Sequence, residues 1–177
     1  MPATQEITAK LVCENIRRAV PHVFQTMLGK MPPVVFSHQQ EATPSAGNRA
    51  NSPMEGQQHV VGTVGFIGEA NGLMYIYLPL AFARLCTRNL LGMTERELEE
   101  AGEETVNDAI GELTNMTVGS FKSGLCDAGY SCMLTMPSIL RGSNFCIEPI
   151  SSAVRHIYHF DCAGHRIVTD ILMKLGE

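Results

Sequence analysis

Several features that would point to a function at once are missing from this 177-residue sequence. It contains no tryptophan, and aromatic residues make up only 6% of it. No apolar run approaches the roughly 18 residues that a membrane-spanning helix needs. Its first 18 residues are amphipathic and mixed in charge, without the apolar stretch of a secretory signal. We therefore expect a cytoplasmic protein with no membrane partner.

Charge and cysteine usage argue against two further classes of protein. The formal net charge of −5 is unfavourable for nonspecific binding to nucleic acid. The six cysteines stand singly among apolar residues, without a Cys-x-x-Cys pair. This pattern favours reduced, buried thiols over a disulfide framework or a zinc site. The sequence also shows no phosphate-binding glycine loop, dinucleotide fingerprint or hydrolase serine elbow.

One motif near the carboxyl terminus invites a metal, namely His156-x-x-His159-x-x-Cys162-x-x-His165. This part of the chain has the pattern of a strand, and side chains three residues apart in a strand point to opposite faces of the sheet. His156 and His159 would therefore need a sharp bulge to share one ion. We expect no metal site and no cofactor of the protein's own.

Composition and hydrophobic spacing predict a single domain over residues 1–177. The first predicted element is a helix from about Glu6 to Leu28, kinked or divided at Pro21 and ended by Gly29. A strand at 34–36 and an exposed, mobile loop at 37–56 follow. The next elements are a hairpin over 59–78, which turns over Glu69–Gly72 because Asn-Gly favours a hairpin turn, and a helix over 80–91 ended by Gly92. Thr94 and Glu97 have the spacing of a capping box. It opens an acidic segment that leads into a central helix.

Strands are predicted after the central helix, at 130–136, 144–150, 153–160 and 166–175, the last two forming a hairpin around residues 162–165. In the final strand one face is formed by alternating residues, namely Ile167, Thr169, Ile171, Met173 and Leu175. This order of elements predicts an α/β (α+β) sandwich, with two long helices packed on a mixed, largely antiparallel sheet. Both halves run from helix to hairpin, which hints at an ancient duplication.

The central helix carries polar residues that its core-facing pattern does not explain. Its apolar positions are Val106, Ala109, Ile110, Leu113, Met116 and Phe121. At about 100° per residue, Asp108, Glu112 and Asn115 fall within about 60° of one another on the opposite side. Gly119 falls among them, and Gly111 also lies inside the helix. Since each glycine costs a helix about 1 kcal/mol relative to alanine, close approach by another protein is a reason to keep them.

The polar residues belong to a longer pattern in which Asp108, Glu112, Asn115 and Pro137 stand at fixed distances. Three residues separate the first two, two residues the next, and 21 residues precede the proline. Glu104-x-x-Asn107 repeats the short spacing but lacks the aspartate and the proline. The full pattern resembles the signature of the CheC/CheX/FliY phosphatases of bacterial chemotaxis. AIGELTNMTVG and the GFIGEANGLMYIYLP hairpin are similar to the CheX branch in particular.

The resemblance implies a CheC-like fold and a phosphatase that acts on a phosphorylated, CheY-like response regulator. It implies that Asn115 orients the attacking water and that Glu112 docks to the regulator's lysine, while Asp108 and Pro137 support the site. It further implies one site per chain, a homodimer, and a magnesium ion bound by the regulator. The alternative is a noncatalytic adaptor that binds a receiver domain, or another signalling partner, without turnover.

The chemistry of these residue types suits the implied roles. Hydrolysis of an acyl phosphate needs a positioned water more than covalent help. A carboxamide such as that of Asn115 can donate and accept hydrogen bonds without adding negative charge beside the phosphoryl group. A carboxylate beside phosphate is repelled unless a cation faces it, which is why Glu112 is expected to meet a lysine. Because the two residues lie about one turn apart, they can enter a cleft together.

Overall fold

The computed structural model describes residues 7–40, 56–147 and 152–175. Its elements in chain order are helix α1 (Ala9–Leu28), strands β1 (Val35–Gln40), β2 (His59–Gly68) and β3 (Ala70–Pro79), helices α2 (Leu80–Leu91), α3 (Glu95–Ala101) and α4 (Glu103–Asp127), and strands β4 (Cys132–Leu134), β5 (Ser138–Gly142), β6 (Val154–Cys162) and β7 (His165–Leu175). Within these residues, no helix combines the length and the apolarity needed to cross a bilayer.

The strands form one sheet, and every strand pair in the described part of the chain is antiparallel. The order is β1-β6-β7-β3-β2, with β4 and β5 both pairing along the outer edge of β2. The two halves of the chain occupy nearly equivalent positions in this sheet. Strand β1 pairs with β6 of the second half, β5 pairs with β2 of the first, and β3 meets β7 at the centre. The pairing supports the duplication hinted at by the sequence.

The main hydrophobic core lies between the sheet and helices α1, α2 and α4. Its largest buried side chains include Phe24, Phe66, Phe82, Phe121, Tyr158 and Phe160. Burial of each such side chain stabilises the fold by roughly 1.5–3 kcal/mol. The predicted face of the last strand is confirmed for four members, which are all buried: Ile167, Thr169, Ile171 and Met173. The predicted α+β sandwich with two long helices on an antiparallel sheet is therefore confirmed.

The other face of the sheet is covered in part by a smaller cluster around Val61, Tyr77 and Val168, with Phe145 packed against it. A buried ion pair also lies on this face, where the Arg155 guanidinium donates to both carboxylate oxygens of Asp170. Asp170 is fully buried. Such a pair must remain intact, because removing one partner leaves an uncompensated buried charge.

A kink or a division was predicted at Pro21. The first helix is continuous through this residue, so the division is wrong. Buried side chains on both sides of the proline, including Ala19, Val20 and Val23, hold this segment on the core. The helix ends as predicted, where the backbone N–H of Gly29 donates to the Gln25 carbonyl. Tertiary packing thus outweighs the loss of one helical hydrogen bond.

Two predictions on the strands that follow were wrong in detail. The strand near residue 35 extends to Gln40, so the loop predicted for 37–56 begins later; residues 41–55 lie outside the described range. The polar residues of β1 pair with β6 as an edge strand. The hairpin reverses between Gly68 and Ala70, whereas Gly72 lies inside β3 opposite Phe66. A side chain at position 72 would collide with the Phe66 ring and the Leu172 carbonyl, so this glycine serves packing.

The strand predicted at 144–150 was also wrong. Residues 143–147 are irregular and 148–150 lie outside the described range, while the strand actually present is β5, just before them. Ile139 faces the core and Leu140 the other side, but polar neighbours hide this short alternation in the sequence. The remaining strands match their predicted places, as do α2 and the Thr94 capping box.

All six cysteines are free thiols, as predicted. Three are buried (Cys86, Cys132 and Cys162), and Cys13 and Cys126 are half-buried. Cys146 is exposed, which corrects the expectation of uniformly buried thiols. Burial raises the pKa of Cys86, Cys132 and Cys162, so the proton is retained and these thiols are poor nucleophiles at neutral pH.

Candidate functional site

Helix α4 carries the predicted site and is anchored along two of its sides. Thr114 packs directly on Gly62 of β2, where any side chain at position 62 would collide with the threonine. The Thr114 hydroxyl is used internally, donating to the Ile110 carbonyl at 2.7 Å. On another side Gly124 makes room for Asn15 of α1, and Arg18 donates to the Ser120 carbonyl at 2.9 Å. Two close contacts therefore fix the helix on the sheet and on α1.

The predicted polar stripe lies on the side of α4 that remains free. Asp108 and Glu112 are exposed, and Asn115 is half-buried. None of the three side chains makes a hydrogen bond or an ion pair with another described residue. The carboxylate and the carboxamide, about one turn apart, are thus available to another molecule.

Met116 was predicted from sequence to face the core, and this prediction was wrong. Its side chain is 46% exposed, whereas the other predicted core positions of the helix are buried. Met116 follows Glu112 by four residues, which places it only about 40° around the helix from the glutamate. It therefore borders the polar stripe and adds an apolar contact surface beside Glu112.

At the two glycines of the central helix, Gly111 and Gly119, no close contact within the described chain requires the absence of a side chain. A Cβ at Gly111 would meet no atom within 4 Å beyond its neighbours and the backbone of its own helix. At Gly119 the nearest such atom is a Leu134 methyl at 3.9 Å, an ordinary contact. Both positions therefore have room for an alanine methyl group, although Gly111 itself is buried.

Pro137 is exposed and lies in the connection between β4 and β5, beside the middle of α4. Contacts on either side locate it. Leu134 lies next to Gly119, and Arg141 contacts Asn107, so the chain from 134 to 141 runs alongside the helix from 119 back to 107. Met136, which precedes the proline, is 86% exposed. The structure thus brings the region of Pro137 to the edge of the polar stripe.

The second Glu-x-x-Asn pair, Glu104 and Asn107, differs from the first in its surroundings. The Asn107 side chain accepts a 2.7 Å hydrogen bond from Nε of Arg141, so its carboxamide is engaged within the chain. Asn115 has no such partner among the described residues. Arg141 itself gives no signal in the sequence, because only the pairing of β5 with β2 places it near α4.

Glu112 and Asn115 lie on the free outer face of α4. Two concavities, of about 430 and 450 Å³, lie elsewhere: one between the ends of α1 and α2, the other at the start of α2 beside His165. Neither is lined by a residue of the predicted motif. A site on the outer face of a helix is suited to inserting side chains into another molecule, rather than to enclosing a small substrate.

The carboxyl-terminal histidines lie as the strand pattern predicts. Neighbouring Tyr158 and Phe160 point toward the helices, whereas Ile157 belongs to the cluster on the other face, which turns His156 and His159 to opposite faces. In the described part of the chain, no group of three His, Cys, Asp or Glu side chains is arranged to hold a metal ion.

Fold and site together define an α+β protein that holds an acid and an amide on the free face of an anchored helix. A family model described as "Chemotaxis phosphatase CheX" matches residues 60–161, more than half of the chain. The chain belongs to this CheX family. Comparison with curated proteins finds no match.

Solved structures share the fold at low sequence identity. CheX from Vibrio vulnificus is 20% identical, with a TM-score of 0.74 over 92% of this chain and 99% of that one. A CheC-like protein from a Shewanella species is 21% identical, with a TM-score of 0.75 over 94% and 99%. The Borrelia burgdorferi CheX in a CheX–CheY–BeF3–Mg²⁺ complex is 18% identical, with a TM-score of 0.70 over 92% and 97%.

Proposed function

We propose that this protein removes the phosphoryl group from the aspartate of a CheY-like receiver domain, with Asn115 and Glu112 as the working side chains. The observation that carries the proposal is that these two side chains stand uncommitted on the free face of an anchored helix, within the spacing pattern that ends at Pro137. Membership of the CheX family supports it. The complex of the Borrelia relative with CheY supports a receiver as the partner.

In the proposed reaction, water attacks the phosphorus of the acyl phosphate, and the bond to the receiver's aspartate breaks. Inorganic phosphate and the free carboxylate are the products. The Asn115 carboxamide accepts a hydrogen bond from the water and donates one to a phosphoryl oxygen, which holds the water in line without adding charge. The metal ion belongs to the receiver and neutralises the phosphoryl oxygens; this chain supplies no metal of its own.

Glu112 serves docking in this scheme. Its exposed carboxylate meets a cation of the receiver, the lysine beside the phosphorylation site, and this pairing aligns Asn115 one turn further along. Asp108 and Pro137 frame the pair from the preceding turn and from the β4–β5 connection. Neither is given a role in the chemistry.

A homodimer and a cytoplasmic location go with the proposal and remain predictions. Both strands of the carboxyl-terminal hairpin are paired within the chain, since β6 pairs with β1 and β7 pairs with β3. The outer edges of the sheet are β1 on one side and β4 with β5 on the other. Sedimentation analysis of the purified protein measures the oligomeric state directly.

Turnover separates the enzyme from the noncatalytic adaptor. The experiment measures phosphate release from a phosphorylated receiver domain with and without this protein, together with binding to the receiver's beryllofluoride form. Acceleration of release is expected. Glu112→Ala should weaken binding at least tenfold, whereas Glu104→Ala, from the second Glu-x-x-Asn pair, should leave it unchanged. Binding without any acceleration would support the adaptor instead.

A further inference from the structure

Arg141 makes the only polar side-chain contacts seen, among the described residues, between β5 and helix α4. Its Nε donates to Oδ1 of Asn107 at 2.7 Å, and its Nη2 donates to the Glu103 carbonyl at 3.1 Å. Nη1 also lies 3.8 Å from the Glu103 carboxylate. The Arg141 side chain is only 25% exposed. One guanidinium thus holds both ends of the first turn of α4.

The contact of Arg141 with α4 is not a helix cap, because a guanidinium only donates and the free backbone groups at a helix start are N–H donors. The residue before the helix is Gly102, which offers no side chain to cap the free backbone N–H groups. By contrast, the start of α3 has a complete capping box. A cation near the amino end of a helix is itself unfavourable for the dipole. The arrangement is therefore better explained by fixing the position of the helix than by capping it.

The geometry of the sheet makes Arg141 one of two anchors that flank the proposed site. Arg141 pairs with Val60 in the β5–β2 ladder, and two residues along β2 lies Gly62, on which Thr114 packs. Asn107 and Thr114 are seven residues apart on α4, which is about two turns. Glu112 lies between these anchors, and Asn115 directly follows the second.

We propose that Arg141 is a positioning residue for the phosphatase reaction: by holding Asn107 and Glu103, it fixes the tilt of α4 and so the placement of Asn115 against the attacking water. The inference rests on the proposed function. It concerns this chain's own side chains, and it predicts an effect on turnover from a residue on the edge strand, not on the receiver-facing stripe. A displacement of about 1 Å in a positioned catalytic group can cost up to about a hundredfold in rate.

The test replaces Arg141 by methionine, which keeps most of the length and removes the donors. We expect kcat for receiver dephosphorylation to fall about tenfold, with KM for the receiver within about twofold of the wild-type value. Asn107→Leu removes only the contact with Nε and should lower kcat by no more than Arg141→Met does. The double variant should be no worse than Arg141→Met, which has already lost that contact. Asn107→Asp keeps the acceptor and should retain kcat.

Arg166→Met is the matched control, because Arg166 forms an ion pair with Asp161 far from α4, on the β6–β7 hairpin. It should leave kcat unchanged. All assays are run below the melting temperature of every variant, so that lost folding is not read as lost turnover. The proposal is overturned if Arg141→Met keeps wild-type kcat, or if only KM rises, since the latter would mean direct contact with the receiver.

Hydrogen exchange separates this inference from the proposed function itself. Arg141→Met should speed exchange of the backbone amides in residues 105–112, while those in residues 120–126 stay as slow as in the wild type. If the wild-type protein accelerates phosphate loss from no receiver, the proposed function fails. Hydrogen exchange alone then tests whether Arg141 holds the first turns of α4 in place. If Arg141→Met leaves exchange in residues 105–112 unchanged, the proposed positioning role of Arg141 is overturned as well.

Discussion

At the scale of single residues, helix α4 carries groups that do not add to the stability of the folded chain. Two interior glycines lower its stability, and the acid and the amide at Glu112 and Asn115 have no partners among the described residues. Met116 adds exposed apolar surface beside them. Each of these features lowers the stability of the isolated chain or leaves it unchanged, which is consistent with the proposed contact between this stripe and a receiver domain.

Gly111→Ala should make the protein more stable and a poorer phosphatase. The added methyl group meets open space, so alanine gains about 1 kcal/mol in helix propensity without a clash. On the proposed interface the same methyl group keeps the receiver away. The measurement pairs urea unfolding with the KM for the phosphorylated receiver, and we expect a higher free energy of unfolding together with a raised KM. A variant that is more stable and binds normally would show that no partner approaches at this glycine.

Gly62→Ala should have the opposite effect on stability. Its methyl group would occupy the space of Thr114, so the helix must move away from β2, at a cost of about 1–3 kcal/mol. Urea unfolding should show this loss, and phosphatase activity should fall because the displaced Thr114 adjoins Asn115. The double variant Gly62→Ala/Thr114→Ala removes the threonine hydroxyl, which is the group closest to a side chain at position 62, and should recover part of the stability. No loss in the single variant would mean that α4 is not held at this point.

At the scale of elements, the edge formed by β1, β6 and β7 contains a histidine cluster unrelated to the proposed site. His159 stacks on His38, with ring centroids 4.3 Å apart, and its Nε2 lies 2.8 Å from Oε1 of Gln40. Arg166 can only donate, so its approach to Nδ1 assigns the ring proton to Nε2, toward Gln40. Burial, with His38 and Arg166 nearby, lowers the pKa of His159 to about 4.

This cluster predicts loss of stability in mild acid. The unfolded chain takes up a proton on His159 near pH 6.5, whereas the folded chain resists protonation down to about pH 4. Stability is therefore full above pH 6.5 and declines below it, by about 2 kcal/mol at pH 5 from His159 alone. Burial also lowers the pKa values of His59 and His156, which act in the same direction.

Urea unfolding at pH 7.5, 6 and 5 measures this effect. His159→Gln should lower stability at pH 7.5 but flatten the dependence on pH, and His22→Gln, at an exposed histidine of α1, should leave the slope unchanged. An equally steep slope in His159→Gln would assign the acid sensitivity to other groups.

Elements were predicted correctly from sequence where the segment with periodic apolar residues was long and the capping residues were clear. Helix α2 between Leu80 and Gly92 and the capping box at Thr94 follow from local chemistry, which the sequence displays directly. The elements that were predicted wrongly are those whose conformation depends on contacts with residues distant in the sequence. The polar strand β1 exists because β6 lies beside it, and the hairpin turns ahead of Asn71 because Gly72 must lie under the Phe66 ring.

At the scale of the whole molecule, the motif on α4 could be predicted because its residues keep fixed spacing, but the way the fold supports it could not. Arg141, Gly62 and Asn15 reach α4 from three different elements, and no local pattern connects them. The near-exchangeable halves of the sheet place a long helix, α1 or α4, at the start of each half. Of these two helices only α4 has an acid and an amide at the Glu-x-x-Asn spacing, which favours one working site per chain.

The central claim is that Asn115 performs the chemistry while Glu112 performs the docking. It is tested most directly by single-turnover loss of phosphate from a phosphorylated receiver domain, with the protein in excess. Asn115→Ala should reduce the rate at saturation at least a hundredfold while leaving the affinity for the receiver's beryllofluoride form within about threefold. Asn89→Ala, at an exposed asparagine of α2, should match the wild type. A wild-type rate for Asn115→Ala at saturation would contradict the account.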